Sequence, residues 1–273
     1  MTITTAPAPE GSATSAPVYT VSSEKPQPAT VTIPGTIQSV LGCDGDWQPD
    51  CANTFLTFDE IGRVWVGEWT LPAGDYLYKA ALNGTWDVNF GQNAAPGGAD
   101  IPLSVPSEQP VKFYYDHQTG WVTDNVNSLI PVVTGNFQAA LGCEADNDPA
   151  CLRSWLEDPN GDGIYDRLIT GIPIGEYTAR VALGETETYA TEETTFSITE
   201  EGSVVFMVFD AATNELKIQA GAPKGDLTTQ KAYWVDEDTL AWNVDTDAAA
   251  TFSLISAPDG GLELDPSGVL GDQ

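Results

Sequence analysis

Leu41-Gly42-Cys43-Asp44-Gly45-Asp46-Trp47-Gln48-Pro49-Asp50-Cys51 is a short polar loop bounded by two cysteines, and it has an echo further along the chain. Leu141-Gly142-Cys143 opens a second loop that closes at Cys151, so both cysteines recur at an offset of 100 residues (143 − 43 and 151 − 51). The repeat spreads outward from there. Gly35 matches Gly135, Phe55-Leu56 matches Trp155-Leu156, and Trp65 matches Tyr165. After a slip of one residue, Leu71-Pro72-Ala73-Gly74-Asp75-Tyr76 matches Ile172-Pro173-Ile174-Gly175-Glu176-Tyr177. The chain is therefore a tandem pair of modules of roughly a hundred residues, a size at which a domain buries its own core.

Within each copy the pattern is that of short strands. Thr30-Val31-Thr32-Ile33 alternates polar and apolar, and Arg63 to Trp69 and Asp75 to Leu82 are strand-like, with the turn Leu71-Pro72-Ala73-Gly74 between the last two. Val111 to Tyr115 is a further strand, and Asp116-His117-Gln118-Thr119-Gly120 is the turn that leads to Trp121-Val122. In the second copy the strands fall at Arg167 to Thr170, Tyr177 to Leu183, Thr195 to Ile198, Val204 to Phe209 and Glu215 to Gln219. Strands this short, punctuated by Gly and Pro, argue an antiparallel sandwich, and each cysteine loop has room for a single helical turn. The expected organisation is a Pro/Ala/Ser/Thr-rich linker over 1–29, module 1 over 30–126, module 2 over 131–220 and the start of a further β-domain over 228–273. Asp116 and Asp210 are only 94 apart (210 − 116), which makes module 2 about seven residues shorter after its Tyr177 strand.

Forty acidic against ten basic residues give a formal net charge of −30. A surface this negative repels phosphate backbones and anionic bilayers, which argues against nucleic acid or membrane as a partner, and a monomer is expected. No apolar run is long enough to span a bilayer. All four cysteines lie in the matched loops. Local pairing, Cys43 with Cys51 and Cys143 with Cys151, is the simplest of three connectivities and would stabilise each module by roughly 2–3 kcal/mol. A shared four-cysteine zinc site is the competing arrangement and requires the loops to meet. Paired cysteines imply an oxidising compartment, hence a secreted or cell-surface location. Residues 1–30 nevertheless show no apolar signal segment, so the expectation is a fragment of a longer precursor.

The chemistry concentrates in Asn83-Gly84-Thr85-Trp86-Asp87-Val88-Asn89-Phe90-Gly91. A Trp and a Phe among Asn, Asp and Gly, directly after a strand, suit a sugar site. The flat ring covers the C–H face of a pyranose while amides and carboxylates bond its hydroxyls. The repeat serves as an internal control. Phe55/Trp155, Trp65/Tyr165 and Tyr76/Tyr177 keep an aromatic in both copies and read as core. Trp86 becomes Glu187 and Trp47 becomes Asn147, so these two read as surface or site residues, against the alternative that each plugs a gap in its loop. The candidate site is Trp86 with Asn83, Asp87, Asn89, Phe90, Trp47 and Lys79; Lys79 becomes Arg180 in module 2, where a snorkelling cation is the simpler use. Tyr189 is the one aromatic in module 2 placed to replace the lost rings.

Other chemistries find little footing. Asp158, Asn160, Asp162 and Asp166 have the spacing of a calcium loop, with Gly163 at its sixth position. The twelfth position is Ile169 in place of a bidentate carboxylate, and an Asp/Gly-rich hairpin turn is the favoured reading. No cofactor is otherwise expected. His117, the single histidine, is Ala211 in the other copy and supports no triad.

The first cysteine loop together with Tyr78-Lys79-Ala80-Ala81-Leu82-Asn83-Gly84-Thr85-Trp86-Asp87 resembles the non-catalytic starch-binding modules of bacterial pullulanases and related amylases. Module 2 resembles them through Cys143 to Cys151, Trp155-Leu156-Glu157-Asp158-Pro159-Asn160-Gly161-Asp162-Gly163 and Pro173-Ile174-Gly175-Glu176-Tyr177. Ala232-Tyr233-Trp234-Val235-Asp236, Thr239-Leu240-Ala241-Trp242 and Pro258-Asp259-Gly260-Gly261-Leu262 are similar to the β-domain ahead of the catalytic barrel in those enzymes. The resemblance implies an all-β chain of two tandem immunoglobulin-like antiparallel β-sandwich modules plus an incomplete third β-domain. It also implies secretion, binding of α-1,4/α-1,6 glucans, and a parent enzyme cleaving α-1,6 branches. This chain holds no (β/α)8 barrel, which needs ~250 residues, so catalysis by the chain alone is not expected. Module 2 lacks the Trp-Asp-x-Asn-aromatic-Gly run, which leaves two readings for it, a weaker sugar site or mostly a spacer. The competing reading for the whole chain is a structural or adhesive sandwich tandem without sugar binding.

Overall fold

The computed structural model describes residues 26–221 apart from 202, together with the backbone of strands Val18–Ser22, Ala232–Asp236, Thr239–Asn243, Leu254–Ser256 and Leu262–Leu264. The rest of the linker and the turn expected between Ser256 and Leu262 lie outside the described residues. Ala232–Asp236 and Thr239–Asn243 form an antiparallel hairpin, on which Val18–Ser22 also pairs. Among the described residues there is no α-helix, only 3-10 turns such as Ala52–Thr54 and Leu152–Ser154, each directly after a loop-closing cysteine. No helix among the described residues is long and apolar enough to cross a membrane.

Module 1 is a two-layer antiparallel sandwich. One layer runs in the order Val122–Asp124, Gln109–Tyr115, Val64–Leu71, Thr57–Asp59. The other holds Val31–Thr32, Ala80–Leu82 and Asn89–Phe90, continued through Gly74–Tyr78 paired with Ile101–Val105. Side chains alternate across each strand. Val111, Phe113 and Tyr115 therefore face Tyr76, Tyr78 and Leu103 across the core, and each fully buried large side chain contributes ~2–3 kcal/mol. Module 2 repeats the plan with Ile164–Ile169, Val204–Asp210 and Glu215–Gly221 opposite Pro131–Gly135, Gly175–Leu183, Thr188–Tyr189 and Thr194–Ile198. The Ile101–Val105 strand, unread in the sequence, is the counterpart of Thr194–Ile198, since each pairs with the strand after the Pro-x-Gly turn.

This register relocates the length difference between the modules. Ala80 pairs with Phe90, and Val181 accepts from the amide of Ala190, so Phe90 and Ala190 are equivalent. The seven-residue difference therefore falls after Phe90, where residues 91–100 face only 191–193 in module 2. The Trp86 hairpin itself is nearly the same length in both copies.

The two disulfides form as the simplest pairing, Cys43–Cys51 and Cys143–Cys151. A buried glutamine fixes each loop from inside. Gln38 Nε2 donates to Gln48 O (2.7 Å) and Thr54 Oγ1 (2.9 Å), and Gln38 Oε1 accepts from Gln48 N (2.7 Å). Gln138 does the same with Asp148 O (2.8 Å), Ser154 Oγ (3.2 Å) and Asp148 N (2.8 Å). On the other side of each apex, Asp46 Oδ1 accepts from Ser39 N and Asp146 Oδ1 from Ala139 N. Buried amides this fully satisfied cost little and hold one loop geometry.

The modules are packed on each other. Trp155 is 0% exposed, stacks on Trp121 of module 1 at 5.0 Å between centroids, and lies 5.5 Å from Tyr114. Val64, Tyr114 and Trp121 thus join the core of module 2. Polar contacts frame this apolar centre. Lys112 Nζ donates to both carboxylate oxygens of Glu185 (2.6 and 2.7 Å), and Tyr114 Oη donates to Glu185 Oε1 (2.5 Å). Burial, followed by that carboxylate, pushes the Tyr114 phenol above its ordinary range. At the other edge Arg167 reaches Glu157 Oε1 (3.1 Å) and Asp116 Oδ2 (3.5 Å). Burial, reinforced by Asp116, holds the Glu157 carboxyl well above the usual carboxylate range against the opposing pull of Arg167.

Candidate functional site

The strand Ala80–Leu82 turns back into Asn89–Phe90 through Asn83-Gly84, with φ of 57° and 67°. Two successive left-handed residues make the type I′ turn that suits the twist of a hairpin, and Asn-Gly is its preferred pair. Asn83 N donates to Thr30 O, and Asn83 Oδ1 accepts from Ala29 N (2.7 Å), so the incoming chain is tied to the turn. Residues 26–29, read as the end of the linker, accordingly lie against module 1; Gln27 Oε1 also accepts from the indole of Trp65 (2.9 Å).

Beyond this turn the hairpin lifts Trp86, 38% exposed, to the surface. Trp47 comes from the apex of the cysteine loop, between Asp46, which accepts from Ser39 N, and Gln48, which Gln38 holds. The two rings meet at 6.3 Å between centroids with 40° between their planes. The two tryptophans that module 2 lacks therefore form one aromatic surface, although they lie far apart in sequence. Gly84 lies near Asp50 of the cysteine loop, close enough that a Cβ at this position would touch it at 3.7 Å. Trp47 holds a left-handed backbone (φ 61°) where module 2 has Asn147 (φ 58°). Asn tolerates that conformation, whereas a bulky aromatic does so at a cost of about 1 kcal/mol.

The remaining sequence candidates divide. Asp87 is exposed on the hairpin beside Trp86. Asn89 is a positioning group, since its Nδ2 donates to Trp86 O (3.0 Å) and its buried Oδ1 has no hydrogen-bond partner. Lys79 is half-buried at the break between Gly74–Tyr78 and Ala80–Leu82. Phe90 needs correction: it is 9% exposed, packs on Tyr115 at 5.6 Å and belongs to the module 1 core, because it follows outward-facing Asn89 on the strand and so points in. In module 2, Arg180 lies over the Tyr189 ring at 3.3 Å, so that aromatic is covered by a cation.

The calcium reading also falls. Asp158 Oδ1 accepts from Gly161 N and Asp162 N, and its Oδ2 accepts from Gly163 N. Asp162 Oδ1 accepts from Ile164 N, and Asn160 Nδ2 donates to Asp162 Oδ2. Asp166 instead sits in a bridge to Glu157. The acids close a turn on its own amides, and among the described residues no three metal-ligating side chains cluster. His117 Nδ1 lies 3.1 Å from Tyr115 Oη in its turn. Two groups escaped the sequence reading. Gln38 and Gln138 recur at the offset of 100, which is the signal that could have found the clamp, but nothing in a lone glutamine announces burial. The interface acids Glu157 and Glu185 carried no signal, because Glu185 is paired by Lys112 and Tyr114 of the other module and Glu157 shares Arg167 of its own module with Asp116 of the other.

The class defined by these features is a tandem of disulfide-pinned, all-β sandwiches with an aromatic surface on one copy. A family model for the pullulanase X25 domain matches residues 30–122 and 130–216, and one for the pullulanase N2 domain matches 229–273. The chain belongs to the pullulanase X25-domain family. It is similar to amylopullulanases from Thermoanaerobacterium thermosulfurigenes (37% identical over 101 residues, 37% of this chain and 5% of the relative) and Thermoanaerobacterium saccharolyticum (36% over 101 residues, 8% of the relative). An amylopullulanase from Thermoanaerobacter thermohydrosulfuricus is 32% identical over 101 residues, 7% of its length. The chain thus spans less than a tenth of the curated relatives it matches. Among solved structures, a pullulanase from Bacillus acidopullulyticus aligns with a TM-score of 0.34 and 16% identity, over 77% of this chain and 30% of that one.

Proposed function

We propose that the chain is a secreted, non-catalytic α-glucan-binding region of a pullulanase-type glycoside hydrolase, and that module 1 binds through Trp47 and Trp86. The observation that carries this reading is the convergence of the exposed Trp86 ring and the half-buried Trp47 ring, when module 2 keeps neither. Two aromatic planes set at 40° suit a chain of pyranoses that turns from ring to ring, as α-linked glucans do, better than a flat ribbon. Asp87 is placed to bond hydroxyls at the edge of the platform, and Asn83 has its Nδ2 left for the same use once its Oδ1 is tied to Ala29. The formal charge of −30 does not oppose a neutral polysaccharide. Module 2 binds no glucan at the equivalent place; it is a positioning unit packed onto module 1.

The test is native electrophoresis of the whole chain in gels with and without amylopectin or pullulan, comparing wild type with Trp86→Ala and Trp47→Ala. Retardation of wild type that either substitution abolishes, with unchanged thermal unfolding, is the expected result. Wild type that migrates identically in every glucan would sink the binding reading and leave a structural tandem.

A further inference from the structure

The seat that module 1 offers to module 2 has a counterpart on module 2 itself. On module 1 that seat is the outward side of the Val64–Leu71 and Gln109–Tyr115 strands, where Val64 and Tyr114 are 0% and 1% exposed beneath module 2. At the offset of 100, Val64 becomes Ile164; at the offset of 94 shared by Asp116 and Asp210, Lys112 becomes Phe206 and Tyr114 becomes Val208. The sheet register agrees: Val66 pairs with Tyr114 as Asp166 pairs with Val208, and Glu68 pairs with Lys112 as Leu168 pairs with Phe206. On module 2 these positions are open. Ile164 is 36% and Phe206 40% exposed, with Leu168 and Val208 half-buried beside them. Four apolar residues thus share the outward side of two adjacent strands, interrupted by Asp166 between Ile164 and Leu168, and a cluster of this kind on an otherwise acidic protein is a candidate interaction surface.

The tether decides what covers it. Module 1 ends with Val122–Asp124, beside the strand carrying Tyr114, and residues 125–130 lead to module 2. Module 2 ends with Glu215–Gly221, beside the strand carrying Phe206, and residues 222–228 lead to the span matched as the N2 domain. That second tether is one residue longer and reaches about 25 Å at most, so the following domain is held at the margin of this same sheet. We propose that the outward face formed by Ile164, Leu168, Phe206 and Val208 is the docking seat of the β-domain that begins at residue 229, which sits on module 2 as module 2 sits on module 1. The three units then form a head-to-tail stack in which each sheet face receives the next domain.

Placing the photo-crosslinker p-benzoylphenylalanine at position 206 in the full chain tests this without removing an aromatic. Irradiation followed by peptide mass spectrometry is expected to join position 206 to residues within 229–273 of the same chain, whereas the same label at exposed Leu77 does not. Crosslinks only between two copies, or none, would overturn the proposal. Independently, Phe206→Asp is expected to raise the rate of protease cleavage within 222–273 about tenfold while residues 26–221 stay resistant. An unchanged cleavage rate there counts equally against the seat.

Discussion

The two modules share one frame and strain it at opposite places. Module 1 forces Trp47 into the left-handed region where module 2 has the tolerant Asn147; module 2 forces Glu185 there (φ 58°) where module 1 has Gly84 (φ 67°). Each misfit residue is the one its module uses. Trp47 builds the aromatic surface with Trp86, and Glu185 ties the hairpin to Lys112 and Tyr114 of the neighbour. The same turn is thus turned outward in one copy and against its partner in the other. A backbone outlier that the twin avoids is a sharper sign of use than exposure alone, because exposure costs nothing and a left-handed bulky residue does.

The largest effect expected from breaking this comparison is at the interface. Trp155→Ala removes a fully buried ring stacked on Trp121 and should cost about 3–5 kcal/mol, a fall in Tm of roughly 10 °C by calorimetry. Its half-buried counterpart Phe55, changed to Ala, should cost less than half as much. Equal losses would show that Trp155 serves only its own module. Next, Trp86→Ala should weaken glucan binding tenfold to a hundredfold, about 1.4–2.8 kcal/mol, with stability changed by less than ~1 kcal/mol; titration calorimetry and melting separate the two. The proposed glucan reading predicts no such loss for Glu187→Ala in module 2.

A pH series sharpens the interface side. Glu157 faces Asp116, Arg167 and Thr119, and its folded pKa lies above the unfolded value near 4.5. A carboxyl raised on folding contributes most below the unfolded pKa, and that contribution is lost as pH rises through the folded one. Above pH 4.5, therefore, wild type should lose stability relative to Glu157→Gln, by up to about 1.4 kcal/mol per pH unit; parallel denaturation curves at every pH would contradict the assignment. The smallest effect is Trp47→Asn, which installs module 2's residue. It should stabilise by up to about 1 kcal/mol in urea denaturation while removing glucan retention.

Much of this was legible from the repeat alone. Most strands, though not Ile101–Val105, the local disulfides as the simplest pairing, and the separation of Trp47 and Trp86 from the shared aromatics were readable in the two copies. What the repeat could not report is which surface of one copy covers the other. Trp155 read as core because Phe55 matches it, yet its ring is buried by Tyr114 and Trp121 across the module boundary. Periodicity tells which side of a strand faces inward but not what stands beyond the domain. Phe90 failed for a different reason: its strand, Asn89–Phe90, is too short to show alternation, so an inward ring looked like part of the exposed run. The acids of 158–166 matched a metal spacing because a turn that feeds carboxylates to its own amides needs the same residues at the same steps.

The glutamine clamp has a consequence for how such modules diversify. Gln38 and Gln138 grip the residue after each loop apex, Asp46 and Asp146, just before it, accept from the amides of Ser39 and Ala139, and the disulfide closes the outside. Although the Asn147 amide donates to Gly135 O, the apex side chain, Trp47 or Asn147, takes no part in that clamp. It works as a socket: one codon can be exchanged there while the loop around it keeps its shape. A lineage that duplicates the module can then test new recognition residues in one copy without unfolding either, and the two apices of this chain are two states of that experiment.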